Sequence, residues 1–144
     1  MATYSKYDLW TEKMVEGGIA PAGTPDTWQL ILSNTAPNVA TNTTAASATE
    51  LSTSGGYTAG GVNCTVTSSV STAGVFKLIL AAPVSPTWTA SGGGFTFQYV
   101  ILYNLSQTQC IGYWNYGSAV VMNGTNADTF TPTLDAVNGV FTVT

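Results

Sequence analysis

Apolar residues recur at two different spacings along the chain, and the spacing changes near residue 20. Tyr7, Trp10 and Met14 lie at positions i, i+3 and i+7, which places them on one face of a helix. Ser5 can cap this helix at its start, and Gly17-Gly18 can stop it. The pattern therefore predicts one short helix near the N-terminus.

After this segment apolar and polar residues alternate, which is the period of a β-strand. Trp28, Leu30 and Leu32 fall on one face of the first such run, and a polar stretch without periodicity follows over residues 33–48. This stretch predicts a long loop. The alternation predicts strands, separated by turns, over residues 27–32, 62–67, 75–80, 95–103, 110–116, 119–122, 129–134 and 140–144.

The run Phe95–Tyr103 is the strongest of these strands, because nearly every residue after Gln98 is apolar. Such a strand is covered on both faces, so we expect it at the centre of a sheet. Asn138-Gly139 predicts a closing hairpin. Together the short strands predict a mainly β fold, an antiparallel β-sandwich or jelly-roll-like single domain with a short N-terminal helix. We expect an N-terminal helical arm over residues 1–20 and a sandwich body over residues 21–144.

The segment Gly55–Gly61 is rich in glycine, but it is not a phosphate-binding loop. Neither a Lys-Ser/Thr pair nor a helical pattern follows it. Because glycine adopts positive φ without strain, the segment predicts a turn around one anchored tyrosine, Tyr57.

The composition removes most of the side chains that perform chemistry near neutral pH. The 144 residues include no His, no Arg and three Lys. Unperturbed His titrates in this range, and Arg is the usual bidentate ligand of phosphates and carboxylates. His-dependent catalytic triads and His-ligated metal sites are thus excluded. We expect no catalytic centre, no cofactor and no metal.

The net charge of −4 leaves no basic stripe, which argues against nucleic acid and anionic membranes as partners. No apolar run of about 18 residues occurs, and the first residues lack the apolar region of a signal peptide. We therefore expect a protein that is made in a cytoplasm and stays there. Cys64 and Cys110 lie in β-like runs without a paired spacing, and we expect both to be reduced core thiols.

The carboxylates allow two other kinds of site. A calcium site would need oxygen ligands, but the spacing of the candidates does not match a calcium-binding loop; they are Asn123, Asn126, Asp128 and Asp135. A glycosidase needs two carboxylates, which four residues could supply: Asp26, Glu50, Asp128 and Asp135. All four fall in predicted turns or at strand ends, where solvated carboxylates are the simpler interpretation.

The aromatic residues suggest where a partner could bind. Exposed Tyr or Trp on a rigid β scaffold suits a protein interface or a sugar-binding face. Our interface candidates are the aromatics that are hardest to place in the core and one nearby lysine: Tyr4, Tyr7, Trp10, Lys13 and Trp88. In this hypothesis the N-terminal segment docks on a partner, with charged residues as a rim. The alternative is that Trp10 and Met14 cover an open face of the sandwich.

Turn and strand strings run along nearly the whole chain: Ser54–Gly61, Trp88–Gly94, Tyr99–Asn104, Ile111–Trp114 and Asn138–Thr144, with Ser33–Pro37 as the loop after the first strand. In these strings the chain resembles a family of small tailed-bacteriophage virion proteins. Members of that family have an N-terminal helix, a strand that ends in an Asn-Thr-Ala-Pro type of loop, and a β-rich body. Several proteins of this kind are capsid decoration proteins, also called cement proteins.

The resemblance implies a non-enzymatic virion protein that binds the major capsid protein on the outer surface of the capsid. Since homo-oligomers favour closed symmetry, we expect a homotrimer, with a dimer as the alternative. Two other functions stay open. A tail, fibre-tip or head-tail accessory protein would bind a host-surface glycan or another virion protein, and glycan binding needs exposed aromatics at one end of the sandwich. A hydrolase needs carboxylates that converge in a cleft.

Overall fold

A computed structural model describes residues 2–16, 26–81, 83 and 87–143. It contains, in chain order, β1 (Thr3–Lys6), α1 (Leu9–Val15), β2 (Trp28–Ser33), β3 (Val62–Cys64), β4 (Val66–Thr72), β5 (Val75–Leu80), β6 (Trp88–Thr89), β7 (Phe95–Asn104), β8 (Gln109–Met122), β9 (Thr129–Phe130) and β10 (Phe141–Val143). Every strand pair is antiparallel. The predicted fold class, mainly β with a short N-terminal helix, is confirmed.

The larger sheet has five strands in the order β1-β8-β7-β2-β3. β7 lies at its centre and pairs with β2 in an unbroken register. Phe97, Ile101 and Leu102 of β7 are fully buried, although Leu102 points to the face opposite Phe97 and Ile101. The prediction that this strand is central and covered on both faces is confirmed.

A three-stranded sheet, ordered β10-β5-β4, packs on one face of the larger sheet. The contact passes through Phe141 of β10, whose ring centroid lies 6.2 Å from those of Trp28 and Phe76. Leu78 and Leu80 of β5 are buried in the same core, as the alternation of that strand predicts. A two-stranded sheet, β6-β9, adds Trp88 at the other end of the molecule. The layers together form an antiparallel sandwich.

The opposite face of the larger sheet is covered by the segment 34–61, which contains no named strand. Tyr57 is its anchor: its hydroxyl accepts a hydrogen bond from the backbone N–H of Leu32 (3.1 Å) and donates one to the Glu50 carboxylate (2.7 Å). Gly55 and Gly56 have φ of 60° and 102°, and a Cβ on either would collide with the backbone of residues 89–94. The predicted glycine turn around Tyr57 is confirmed.

Two irregularities bend β8, the longest strand. Phe97 pairs with Val120 and Tyr99 with Asn115, so residues 116–119 of β8 lie opposite one residue of β7. Gly117 has φ of 79° in this bulge, a conformation that glycine adopts without strain. The two strands predicted over residues 110–116 and 119–122 are therefore one bent strand.

The N-terminal segment begins differently from the prediction. Thr3–Lys6 forms a strand along β8, so Ser5 lies inside a strand and does not cap the helix. α1 begins at Leu9, after Tyr7, and Asp8 at its start makes no side-chain cap hydrogen bond. The helix was expected one turn too early, because pairing with a distant strand overrides the local helical spacing.

Backbone hydrogen bonds hold this segment in the sandwich. The N–H of Tyr7 donates to the carbonyl of Ile111 (3.0 Å), and the N–H of Asp8 donates to the carbonyl of Val39 (3.1 Å). Thr3–Lys6 therefore form an outer strand of the larger sheet, and α1 follows it directly. The predicted stop at Gly17-Gly18 lies outside the described residues.

The C-terminal hairpin prediction is wrong. β10 pairs with β5, in the register Phe141↔Leu78, and the strand predicted over residues 129–134 is reduced to β9. Asn138-Gly139 still ends a turn, which the Asp135 carboxylate organises by accepting the backbone N–H of Asn138 (2.7 Å). The local turn signal was correct, but the partner strand is distant in sequence.

Candidate functional site

The sequence-based interface candidates lie mostly in the core. Tyr7 and Trp10 are each 1% exposed, and Trp88 is 4% exposed. Tyr4 is half-buried, and Lys13 is exposed on α1. The expectation that these aromatics are hard to place inside is therefore wrong for Tyr7, Trp10 and Trp88, whose side chains are buried in the core. Of the five candidates, only Lys13 is exposed.

Trp10 closes the core at the end of the sandwich. Its ring lies 4.5 Å from the Phe141 ring, and the Lys6 ammonium lies 6.0 Å from its centroid. Its indole nitrogen, like that of Trp28, is buried without a hydrogen-bond partner. Trp10 and half-buried Met14 thus take the alternative role considered above, in which they cover an open part of the sandwich.

Tyr7 follows β1 and is buried against the larger sheet. Its ring meets that of Tyr113 edge to face, with centroids 5.6 Å apart, and its hydroxyl lies beside the thiol of Cys110. Burial raises the pKa of Tyr7 above its usual range and raises the pKa of Cys110 to about 12. Both groups stay protonated at neutral pH, so neither provides a nucleophile or a base.

The two cysteines are free and buried, as predicted. Burial raises the pKa of Cys64 to about 12 as well. Since the thiolate is the reactive form, these thiols are chemically inert at neutral pH.

The carboxylates of the proposed glycosidase set each organise a local structure. Glu50 accepts hydrogen bonds from the Tyr57 hydroxyl and the backbone N–H of Gly60 (2.6 Å). Asp26 is buried and accepts the side-chain amide of Asn104 (2.8 Å). These contacts connect loops to the sheet.

The carboxylates considered as calcium ligands also accept hydrogen bonds from their own turns. Asp128 accepts the backbone N–H of Asn123 (2.8 Å) and so closes the turn after β8. Three donors from Val137 and Asn138 lower the pKa of Asp135 below its usual value. Within the described residues, no group of three His, Cys, Asp or Glu side chains could hold a metal ion.

A groove beside β8 holds aromatic rings that a ligand could reach. It has a volume of about 350 Å³ and runs between Trp114 and Tyr116 of β8 and the segment Thr131–Leu134. Trp114 and Tyr116 are half-buried, and the Trp114 ring lies 5.1 Å from that of Tyr4. None of the described residues that line this groove is acidic or basic, so it suits an uncharged ligand.

The second candidate feature, after the groove, is the outer edge of β4. β4 is the outer strand of the three-stranded sheet, and Val70 at its middle is 53% exposed. The sequence pattern predicted a single strand over residues 62–67, but Thr65 marks the point where the chain passes from the larger sheet to the smaller one. The β-branched residues of the run Val66–Thr72 favour a strand, but a bulge between Val66 and Ser68 breaks the alternation that would have indicated its length.

Comparisons with known proteins identify no relative of the chain. No family model matches the chain, and neither a curated protein nor a solved structure is significantly similar to it. Within the described part of the chain, no helical segment has the length and apolar character of a membrane span.

Proposed function

We propose that the chain is a non-enzymatic structural protein of a tailed-bacteriophage virion and that it decorates the capsid surface by binding the major capsid protein. The sequence strings that resemble phage virion proteins suggest this role. The absence of His and Arg agrees with a protein that holds a partner and performs no chemistry on it.

The observation that carries the proposal is the use of the ionisable groups. Glu50, Asp128 and Asp135 hold their own loops, and the two thiols are protonated in the core. A hydrolase would instead need carboxylates that face a common cleft. The surface offers strand edges and short polar loops, which suit repeated docking on a regular shell.

A small rigid decoration protein can stabilise a capsid shell because many copies bind to it. Each copy can bury only a modest area, but many copies across subunit joints stabilise a shell collectively. The chain carries only three Lys and seven Asp or Glu residues, so we expect binding to the shell to depend only weakly on salt concentration.

The direct test uses virions of the phage that encodes the chain. Purified virions are dissociated into heads and tails, and the chain is quantified in each fraction. The proposal expects it on heads in a fixed ratio to the major capsid protein. It also expects that adding the purified chain raises the melting temperature of shells that lack it. Recovery from tails alone, or absence from virions, would show that the proposal is wrong.

One observation favours a second function, a tail or fibre-tip protein that binds a host-surface glycan. Trp114 and Tyr116 present aromatic rings in an uncharged groove beside hydroxyl groups, including that of Thr133. Aromatic faces with nearby hydrogen-bonding groups are suited to neutral sugars.

Tryptophan fluorescence can test this second function, because Trp114 is half-buried while Trp10, Trp28 and Trp88 are buried. Neutral host-surface oligosaccharides would be titrated into the wild type and into Trp114→Phe. Glycan binding predicts a saturable change that Trp114→Phe abolishes. Val121→Ala, at an exposed site on the same strand, serves as the control. No change up to millimolar sugar would refute the second function.

A further inference from the structure

We propose that the outer edge of β4 pairs with the β4 edge of a second copy of this chain, in an antiparallel arrangement about a twofold axis at Val70. The pairing would join the two three-stranded sheets into one six-stranded sheet. This inference goes beyond the proposed function and does not depend on it, because it uses only the geometry of β4 and its neighbours.

The turn after β4 fixes which backbone groups point outward. Ala73 and Gly74 have φ of 51° and 81°, and Thr72 pairs with Val75, which defines a two-residue hairpin turn. The residues that flank such a turn form a hydrogen-bonded pair, and bonded pairs then alternate along the ladder. The bonded positions of β4 are thus Thr72, Val70 and Ser68, opposite β5.

The backbone groups of Ser69 and Ser71 therefore point away from β5. Within the described chain, no backbone hydrogen bond outside the sheet ladders uses either residue. Each offers one N–H and one C=O, so the edge presents four groups in a regular row. An unpaired row of this kind is a template for another strand.

The row is complementary to itself. With the twofold axis at Val70, Ser69 of one copy lies opposite Ser71 of the other, and both such pairs are hydrogen-bonded pairs. The arrangement satisfies all four outward groups of each copy. The two Val70 side chains then meet in the non-bonded position between them, where side chains of an antiparallel pair are closest.

The edge also lacks the devices that normally prevent pairing. β4 contains no charged residue and no proline, and its bulge lies at its start, between Val66 and Ser68. Among the described strands that lie at the outside of a sheet, β4 is the longest: β1 has four residues, one of them Lys6, β3 and β10 have three each, and β6 and β9 have two each. β4 has seven residues.

Charge favours a second copy as the occupant. The chain carries a net charge of −4, so two copies repel each other across most surfaces at low salt. The β4–β5 hairpin carries no carboxylate, and its only charge is Lys77, whose ammonium donates to the carbonyl of Val137 (2.9 Å). This surface is one where two acidic molecules can approach closely.

The outer face of the hairpin adds apolar contact. A shallow hollow of about 370 Å³ is lined by Ser68, Val70, Thr72, Val75 and Lys77. Pairing about Val70 would place the two hollows side by side and cover both Val70 side chains. Because the paired strands are short, the interface is small, and we expect a dimer that forms at about 10–100 µM.

Sedimentation equilibrium between about 5 and 500 µM tests the proposal. The wild type should shift from monomer to dimer, and Val70→Lys should remain monomeric because two ammonium groups would meet at the axis. Val121→Lys is the matched control: Val121 is also an exposed strand valine, at 70%, and this variant should dimerise like the wild type. Circular dichroism and melting temperature establish that both variants fold.

A cysteine cross-link tests the register independently. Cα atoms of a non-bonded antiparallel pair lie about 4.5 Å apart, which is within the range of a disulfide. Val70→Cys should therefore form an intermolecular disulfide under mild oxidation at least tenfold faster than Val121→Cys. The native thiols are buried and do not compete.

Three results would overturn the proposal. The first is a wild type that stays monomeric at 500 µM or forms a trimer. The second is a Val70→Lys variant that dimerises like Val121→Lys, and the third is equal cross-linking of the two cysteine variants. If the monomeric wild type instead loses shell binding on Val70→Lys, the edge accepts a capsid strand, and the self-pairing proposal is wrong.

Discussion

Replacing Trp10 by alanine should destabilise the fold strongly and should not act through a binding surface. Trp10 is 1% exposed, and its ring packs on Phe141 at 4.5 Å between α1 and β10. Truncation of a buried Trp to Ala removes that contact and leaves a cavity, at a cost of about 3–5 kcal/mol. In a chain of this size each kcal/mol lowers the melting temperature by about 2–4 °C, so we expect a decrease of about 6–20 °C.

Two companion variants separate the possible causes. The indole nitrogen of Trp10 has no hydrogen-bond partner, so Trp10→Phe loses volume but no hydrogen bond. It should cost about 1–2 kcal/mol, clearly less than Trp10→Ala. Leu9→Ala changes an exposed residue of the same helix and should cost less than about 0.5 kcal/mol.

The assay combines thermal and urea unfolding with binding to empty shells at low temperature. The structure predicts that Trp10→Ala melts early but still binds shells when it is folded. If the variant instead kept the wild-type melting temperature and lost shell binding, Trp10 would be an interface anchor and the packing described here would be wrong. In that case the N-terminal segment would again be the leading docking surface.

Three further perturbations test other parts of the fold. Tyr57→Phe leaves the buried N–H of Leu32 without its acceptor and removes a donor to Glu50. The free energy of unfolding, measured in urea, should therefore fall by about 1–3 kcal/mol. A decrease below about 0.5 kcal/mol would contradict the anchoring role. Ala73→Asn should stabilise the fold by about 0.5–1 kcal/mol, because Asn adopts the positive φ of this turn more easily than Ala does. An unchanged or lower melting temperature would argue against the turn type. Stability should also fall above about pH 9, because the unfolded chain releases protons from Cys and Tyr near pH 9 and 10 while burial raises the pKa of these groups in the native state. This stabilisation is complete below the unfolded pKa values and declines as the pH rises. Melting temperatures at pH 7 and 8 should therefore be equal, and the melting temperature at pH 10.5 should be lower. The groups whose pKa is raised most are Tyr4, Tyr7, Tyr57, Cys64 and Cys110.

The strands that the sequence predicted well are those whose own pattern of apolar residues indicates which faces are buried. β7 is apolar on both faces and lies at the centre, and β5 carries Leu78 and Leu80 inward as its alternation indicates. β1 was missed, because Thr3–Lys6 precedes a helical spacing and has strand structure only through its pairing with β8. The partner of β10 was missed for the same reason, since a local turn at Asn138-Gly139 contains no information about β5.

The candidate surfaces were harder to predict than the fold. Whether an aromatic side chain is exposed depends on what covers it, and Trp10 and Trp88 find cover in Phe141 and Phe130 from the last third of the chain. Trp114, which the sequence analysis did not select, is only half-buried in a groove. The open edge of β4 depends on strand order, which a single sequence specifies only through long-range pairing.

The burial of the aromatics changes what kind of docking this chain can provide. Interfaces usually gain most of their affinity from a few Trp, Tyr or Arg anchors, and here Arg is absent while Tyr7, Trp10 and Trp88 are in the core. A capsid partner would therefore find few aromatic anchors and would meet mainly backbone edges, short polar side chains and single exposed Leu or Val residues, whose individual contacts are weak. Weak contacts hold a protein firmly when several act at once, because the second contact of a linked pair forms at a high effective concentration.

A dimer joined at β4 would carry two docking surfaces to a shell that repeats its sites, so self-pairing and capsid decoration would reinforce each other. Val70→Lys would then weaken shell binding by far more than Val121→Lys, although in this arrangement Val70 contacts only the second copy.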